Sequence, residues 1–91
     1  MELEIIRKNI QEIDTEIIEL ISKRLAFIPI ISQTKRAKKI TTFQAEREKQ
    51  MYQRYWNLAV KHKINPELIR QVFDLIMTES RKLQLELLND E

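Results

Sequence analysis

Two cations stand where a helix face should be unbroken. Ile10, Ile17, Ile28 and Ile31 recur at helical spacing and form one apolar stripe. At about 100° per residue, Arg24 and Lys35 fall in the middle of it. They are 11 residues, three turns, apart, so both point the same way. Arg7 lies towards the edge of the same stripe. Further along, Ser80 and Gln84 continue the face made by Ile69, Val72, Phe73 and Ile76. In the intervening segment Gln44 and Glu48 line up with Met51 and Tyr55, and Arg47 flanks them.

Taken singly, each has a bland explanation. An arginine beside an apolar stripe ordinarily snorkels to solvent or pairs with a carboxylate. Ser80 and Gln84 could be local hydrogen bonders, and Glu48 could pair with Arg7 or Arg24. Together they are harder to dismiss. Several cations, a carboxylate, an amide and a hydroxyl facing inward are costly to bury without a partner. Three arginines and a lysine against one or two acids leave positive charge over. That surplus suits a small, doubly negative ligand, and the arginine fork matches a carboxylate.

Other side chains offer less chemistry. His62, the one histidine, sits near a helix C-terminus, where partial positive charge is stabilised, and reads as structural. With no cysteine and a single histidine, no transition-metal site is expected, and no Ser-His-acid set can be assembled. Tyr52, Tyr55 and Trp56 read as packing residues. Lys38 and Lys39, part of the basic run Lys35-Arg36-Lys38-Lys39, read as a solvated rim that steers anions inward.

Three helices must position these groups. The first spans residues 3 to about 38, with Ile6, Ile10, Ile13, Ile17, Leu20, Ile21, Ile28 and Ile31 at steps of three and four. Pro29 interrupts it, but the periodicity resumes in phase, which predicts a kink rather than a stop. After Ile40-Thr41-Thr42, Thr41 and Gln44 have the spacing of a capping box, opening a second helix that runs to about His62. In "HKINPEL" Asn65 is a good N-cap and Pro66 fits the first helical position. The third helix runs from Pro66 to about Leu88, with Ile69, Val72, Phe73, Ile76, Leu83 and Leu87 inward. A first helix of this length, roughly 50 Å, exceeds the width of a compact domain of this size, about 30 Å. One protomer cannot cover its stripe, so an entwined or antiparallel helical homodimer is expected.

Composition agrees. The 91 residues make one small domain, 1–91, with no glycine, two prolines and no cysteine. Without glycine the usual hairpin turns and phosphate-cradling loops lack their residue, while Leu, Ile, Glu, Lys, Arg and Gln favour helix. An all-α fold follows. The net charge of +2, from 16 basic and 14 acidic residues, is too balanced for a protein that lives on nucleic-acid phosphates. "MELEIIRKNI" does not read as a signal peptide, and no apolar run approaches a membrane span. A soluble, cytoplasmic protein is expected.

The residues match a known family. "IIRKNIQEIDTEIIELISKR", "SQTK", "AERE" and "ESRKLQ" occur in order without gaps over nearly the whole chain. In this the chain resembles the chorismate mutases of the all-helical, intertwined-dimer type. The resemblance implies a cofactor-free, metal-free rearrangement of chorismate to prephenate. It also implies a homodimer in which Arg7 reaches the site from the partner subunit, while Arg24, Lys35, Arg47, Glu48, Ser80 and Gln84 come from one protomer. By the same resemblance the arginines and Ser80 clamp two carboxylates, Glu48 accepts the ring hydroxyl, and Lys35 and Gln84 donate to the ether oxygen. Gln44, where this family often carries an aspartate, is a rim contact for the substrate. The rivals are an isochorismate pyruvate lyase of the same fold, which lacks a carboxylate at the Glu48 position, and a non-catalytic helical dimerisation module.

Overall fold

The computed structural model describes residues 2–39 and 44–89. Among them are four helices: α1 (Glu2–Ala26), α2 (Ile28–Ala37), α3 (Ala45–Lys61) and α4 (Pro66–Asn89). Strands are absent from the described residues. None of these helices is long and apolar enough to cross a membrane.

The expected long first helix is α1 and α2 in succession, broken only at Phe27. Pro29 explains the break. Its ring nitrogen has no proton to give the carbonyl four residues back, and its bulk pushes that carbonyl away. The backbone compensates locally: Phe27 N–H bonds Arg24 O at 3.2 Å, a tighter three-residue step, and Ile31 N–H bonds Phe27 O at 2.9 Å. The longest dimension, 56 Å, is what about 36 residues of nearly straight helix supply at 1.5 Å each. The interruption therefore sits between Arg24 and Lys35 without folding the rod back.

The two later helices are bounded by identifiable signals. Asn65 caps α4, its side-chain Oδ1 accepting from Glu67 N–H at 3.0 Å, with Pro66 first in the helix. At the other end of the connection α3 closes with paired bonds, Ile64 N–H to Ala59 O at 2.8 Å and Lys63 N–H to Val60 O at 3.1 Å. That pattern needs a left-handed residue, usually glycine. With no glycine in the chain, Lys63 takes it at φ 57°, and Lys39 does the same after α2. Each costs on the order of 1 kcal/mol over glycine. The proposed capping box is corrected. Gln44 is not three residues inside the helix but is itself the N-cap of α3, with extended backbone and no side-chain capping bond. Thr41 and Thr42 lie outside the described residues.

Packing is concentrated at one end. α4 lies between α3 and α2. Tyr55 stacks on Phe73 at 3.9 Å and Tyr52 meets Tyr55 edge-on at 5.7 Å, which fixes α3 to α4. Tyr52 and Tyr55 pack as the sequence led one to expect, whereas Trp56 remains exposed. α1, in contrast, has no buried residue, and Ile6, Ile10, Ile13 and Ile17 remain about half exposed. The radius of gyration, 16.6 Å, exceeds the roughly 12 Å of a compact chain of this length.

Candidate active site

Three polar residues are buried among the described residues: Ser32, Ser80 and Gln84. Two of them belong to a cavity of about 390 Å³ enclosed by the end of α1, by α2, and by the facing sides of α3 and α4. Four cations (Arg24, Lys35, Arg47 and Arg81) and one carboxylate (Glu48) line it, together with Gln44, Ser80 and Gln84. Phe27, Ile28, Ile31, Met51 and Met77 supply apolar walls. Seven of the eight residues singled out from the sequence are thus brought together.

Most of these polar groups are held by their neighbours. On α1, the Arg24 guanidinium donates to Ser80 Oγ at 3.3 Å and approaches Met77 Sδ at 3.3 Å. Ser80 in turn donates its own proton to Ile76 O at 2.8 Å, so its lone pairs are what Arg24 meets. On α2, Lys35 Nζ donates to Gln84 Oε1 at 3.2 Å. That bond orients the Gln84 amide, because with its oxygen turned to Lys35 the NH₂ is left to donate elsewhere. Burial lowers the Lys35 ammonium below the ordinary lysine range, and the nearby Glu48 carboxylate opposes the shift. Arg47 is more exposed and stands at the rim. Gln44 lines the same rim from the N-cap position.

Arg7 is the residue that the protomer leaves out. It lies on the exposed part of α1, 17 residues before Arg24 and hence about 25 Å along the helix. No reorientation of its own side chain spans that distance. Glu48 is also paired differently from either sequence option: its Oε1 accepts from Arg81 Nη1, not from Arg7 or Arg24. Arg81 was not singled out in the sequence. The available signal was its spacing, four residues after Met77 and three before Gln84, which places it on the edge of the face those residues share.

Behind the cavity, Tyr52 OH donates to Asp74 Oδ1 at 2.6 Å, and Asp74 Oδ2 accepts from Arg70 at 2.7 Å. The Tyr52 phenol is pushed up to about 12, first by burial and then by Asp74 and Glu48, which disfavour a second negative charge beside them.

In chemical terms the cavity is small, cationic, partly apolar and lined by donors fixed in advance. Among the described residues it holds no nucleophile activated by a base. It suits binding a compact dianion and stabilising negative charge that develops on it.

Comparison with known proteins gives the family of the chain. Residues 6–85 match the family model of chorismate mutase type II. A chorismate mutase of Methanocaldococcus jannaschii is 29% identical over 85 residues, covering 93% of this chain and 86% of that protein. Two bifunctional chorismate mutase/prephenate dehydratases of Buchnera aphidicola are 34% and 36% identical over 83 and 84 residues. This chain spans only 22% of the length of each of those two. With the inward polar set in place and the match running through nearly all of the helical domain, the chain belongs to the chorismate mutase type II family.

Proposed function

We propose that the cavity binds chorismate and converts it to prephenate, and that a second copy of the chain completes it. The observation that carries this reading is the convergence of four cations, one carboxylate, two amides and a hydroxyl on one cavity in a member of this family.

The reaction breaks a carbon–oxygen bond and forms a carbon–carbon bond within one molecule, so no atom enters or leaves. The protein's task is to hold the dicarboxylate in its compact, chair-like shape and to favour the transition state. Arg24 and Arg47 would bind carboxylates, with Gln44 at the rim. Ser80 serves the same end by holding Arg24, and it donates to substrate only after its hydroxyl turns from Ile76 O. Glu48 would accept the ring hydroxyl. Lys35 and the free NH₂ of Gln84 would donate to the ether oxygen, where negative charge grows. Their mutual bond sets both in place before substrate arrives, so little reorganisation is needed during the reaction.

The exposed face of α1 supports the homodimer. A stripe of half-exposed isoleucines leaves roughly 1 kcal/mol of burial unrealised per residue. The same segment carries Arg7, too far from its own cavity to serve it. An antiparallel second copy would cover the stripe and bring Arg7 of the partner subunit to the site, adding a cation to the carboxylate clamp. The expected setting is the cytoplasm.

Incubation with chorismate tests the reaction. Its absorbance should decay enzymatically, with prephenate as the product. Release of pyruvate with salicylate or hydroxybenzoate would instead identify a lyase, and no conversion would leave a helical binding module.

A further inference from the structure

Arg81 is the cavity-lining cation that the proposed clamp does not use. It projects from α4 at a position between Ser80 and Gln84, and its Nη1 donates to Glu48 Oε1 on α3. The Glu48 side chain is the more enclosed of the two, 15% exposed against 37% for Arg81. The carboxylate is thus the inner member of the pair, and the guanidinium reaches it from the outer side. Glu48 sits at the fourth position of α3, in the turn after its N-cap. A glutamate has three side-chain torsions to be fixed, and the bond from Arg81 bears directly on its carboxylate.

From this geometry we infer that Arg81 is a positioning residue. It fixes the Glu48 carboxylate across the α3–α4 gap so that the carboxylate's remaining acceptor capacity meets the substrate's ring hydroxyl. Two features support this. A carboxylate offers about four lone-pair sites, so a bond from Arg81 to Oε1 does not use it up. A guanidinium bond to a carboxylate is also directional, so it sets the orientation of the acceptor as well as its location. Arg81 therefore acts through Glu48 and not on the substrate carboxylates, which separates it from Arg24 and Arg47. The inference rests on the chorismate reading of the cavity, and it adds a specificity element: the grip on the hydroxyl-bearing side of the ring is set by α4 as well as α3.

The test is a double-mutant cycle in the full chain. Arg81→Leu should lower kcat/KM for chorismate by about 10- to 100-fold, the range for losing a charged hydrogen-bond partner, with an unchanged helical spectrum and melting still cooperative. Arg81→Lys, which keeps the charge but not the fork, should recover part of the loss. In a Glu48→Gln background, Arg81→Leu should cost less than about twofold, because the group it orients is gone. A chorismate analogue without the ring hydroxyl should bind wild type and Arg81→Leu equally. The inference is overturned if Arg81→Leu is silent, or if it costs as much with Glu48→Gln as without. Equal loss of affinity for the hydroxyl-free analogue would also overturn it, making Arg81 a direct carboxylate contact or a purely structural one. Wild-type protein that leaves chorismate unchanged overturns the reaction itself, and this inference with it.

Discussion

The exposed stripe of α1 and the cavity between α2, α3 and α4 invert the usual distribution of side chains. On α1, Ile13 is 54% exposed, whereas in the cavity Ser80 is 3% and Gln84 7% exposed. Water should favour the opposite on both counts. Both features bear on the proposed reading. The stripe is suited to an apolar partner, and the cavity, with four cations and one carboxylate among its described lining residues, is suited to an anion. Arg7 links the two, because it is carried by the first region and chemically suited to the second. The proposed second copy would serve the stripe and the site alike.

Breaking the cavity should have the largest effect. Lys35→Ala removes the donor proposed for the ether oxygen and should lower kcat by about 100- to 1,000-fold, read as chorismate absorbance decay, with the proposed dimer intact by sedimentation. An unchanged rate would remove Lys35 from the chemistry. Attacking the stripe comes next. Ile13→Glu would place an unpaired charge in the proposed interface, costing several kcal/mol, so the protein should sediment as a monomer. Its activity should fall by more than roughly tenfold if the clamp includes an Arg7 from a second copy, as proposed. If the variant remains a dimer, the stripe is not the contact.

Mixing separates the regions more finely. Inactive Arg7→Ala and inactive Lys35→Ala chains, denatured together and refolded, should regain activity. Random pairing yields one intact site per mixed dimer, or about a quarter of wild-type activity. No recovery would mean that Arg7 serves its own protomer.

The smallest effects are those of pH. Lys35 offers a charged donor only while protonated, and burial lowers its pKa, so kcat should decline on the alkaline side before an ordinary lysine would titrate. Tyr52, outside the cavity, is a control. Its folded pKa is raised from 10.0 to about 12, so its contribution to stability is complete below pH 10 and is lost as pH rises towards 12. Tyr52→Phe should remove that alkaline loss of stability while leaving catalysis within about twofold, since Tyr52 does not line the cavity. A large fall in kcat would draw Tyr52 into the site.

Much of this was legible in one dimension because helices are periodic. Arg24 and Lys35 fall on one face whatever lies opposite, and Asn65-Pro66 starts a helix through strictly local bonds. The misreadings share a physical cause. Thr41 and Gln44 have capping-box spacing, but spacing alone does not fix which residue is the N-cap, and here it is Gln44. The lysines at φ 57° were unexpected because the motif usually requires glycine; the paired end-of-helix bonds hold Lys63 there despite its side chain. Arg81 escaped notice because it lies at the edge of its face, where a cation ordinarily reaches solvent.

The sequence by itself determined the helical class, the faces of each helix, and the inward polar residues that could bind a dianion, since all of these depend on residue type and a period of about 3.6. Tertiary structure decided which groups meet. It paired Lys35 with Gln84 and Arg24 with Ser80, gave Glu48 to Arg81, and left Arg7 on an uncovered helix. These outcomes turn on how α2, α3 and α4 approach one another, a through-space geometry that no local spacing specifies.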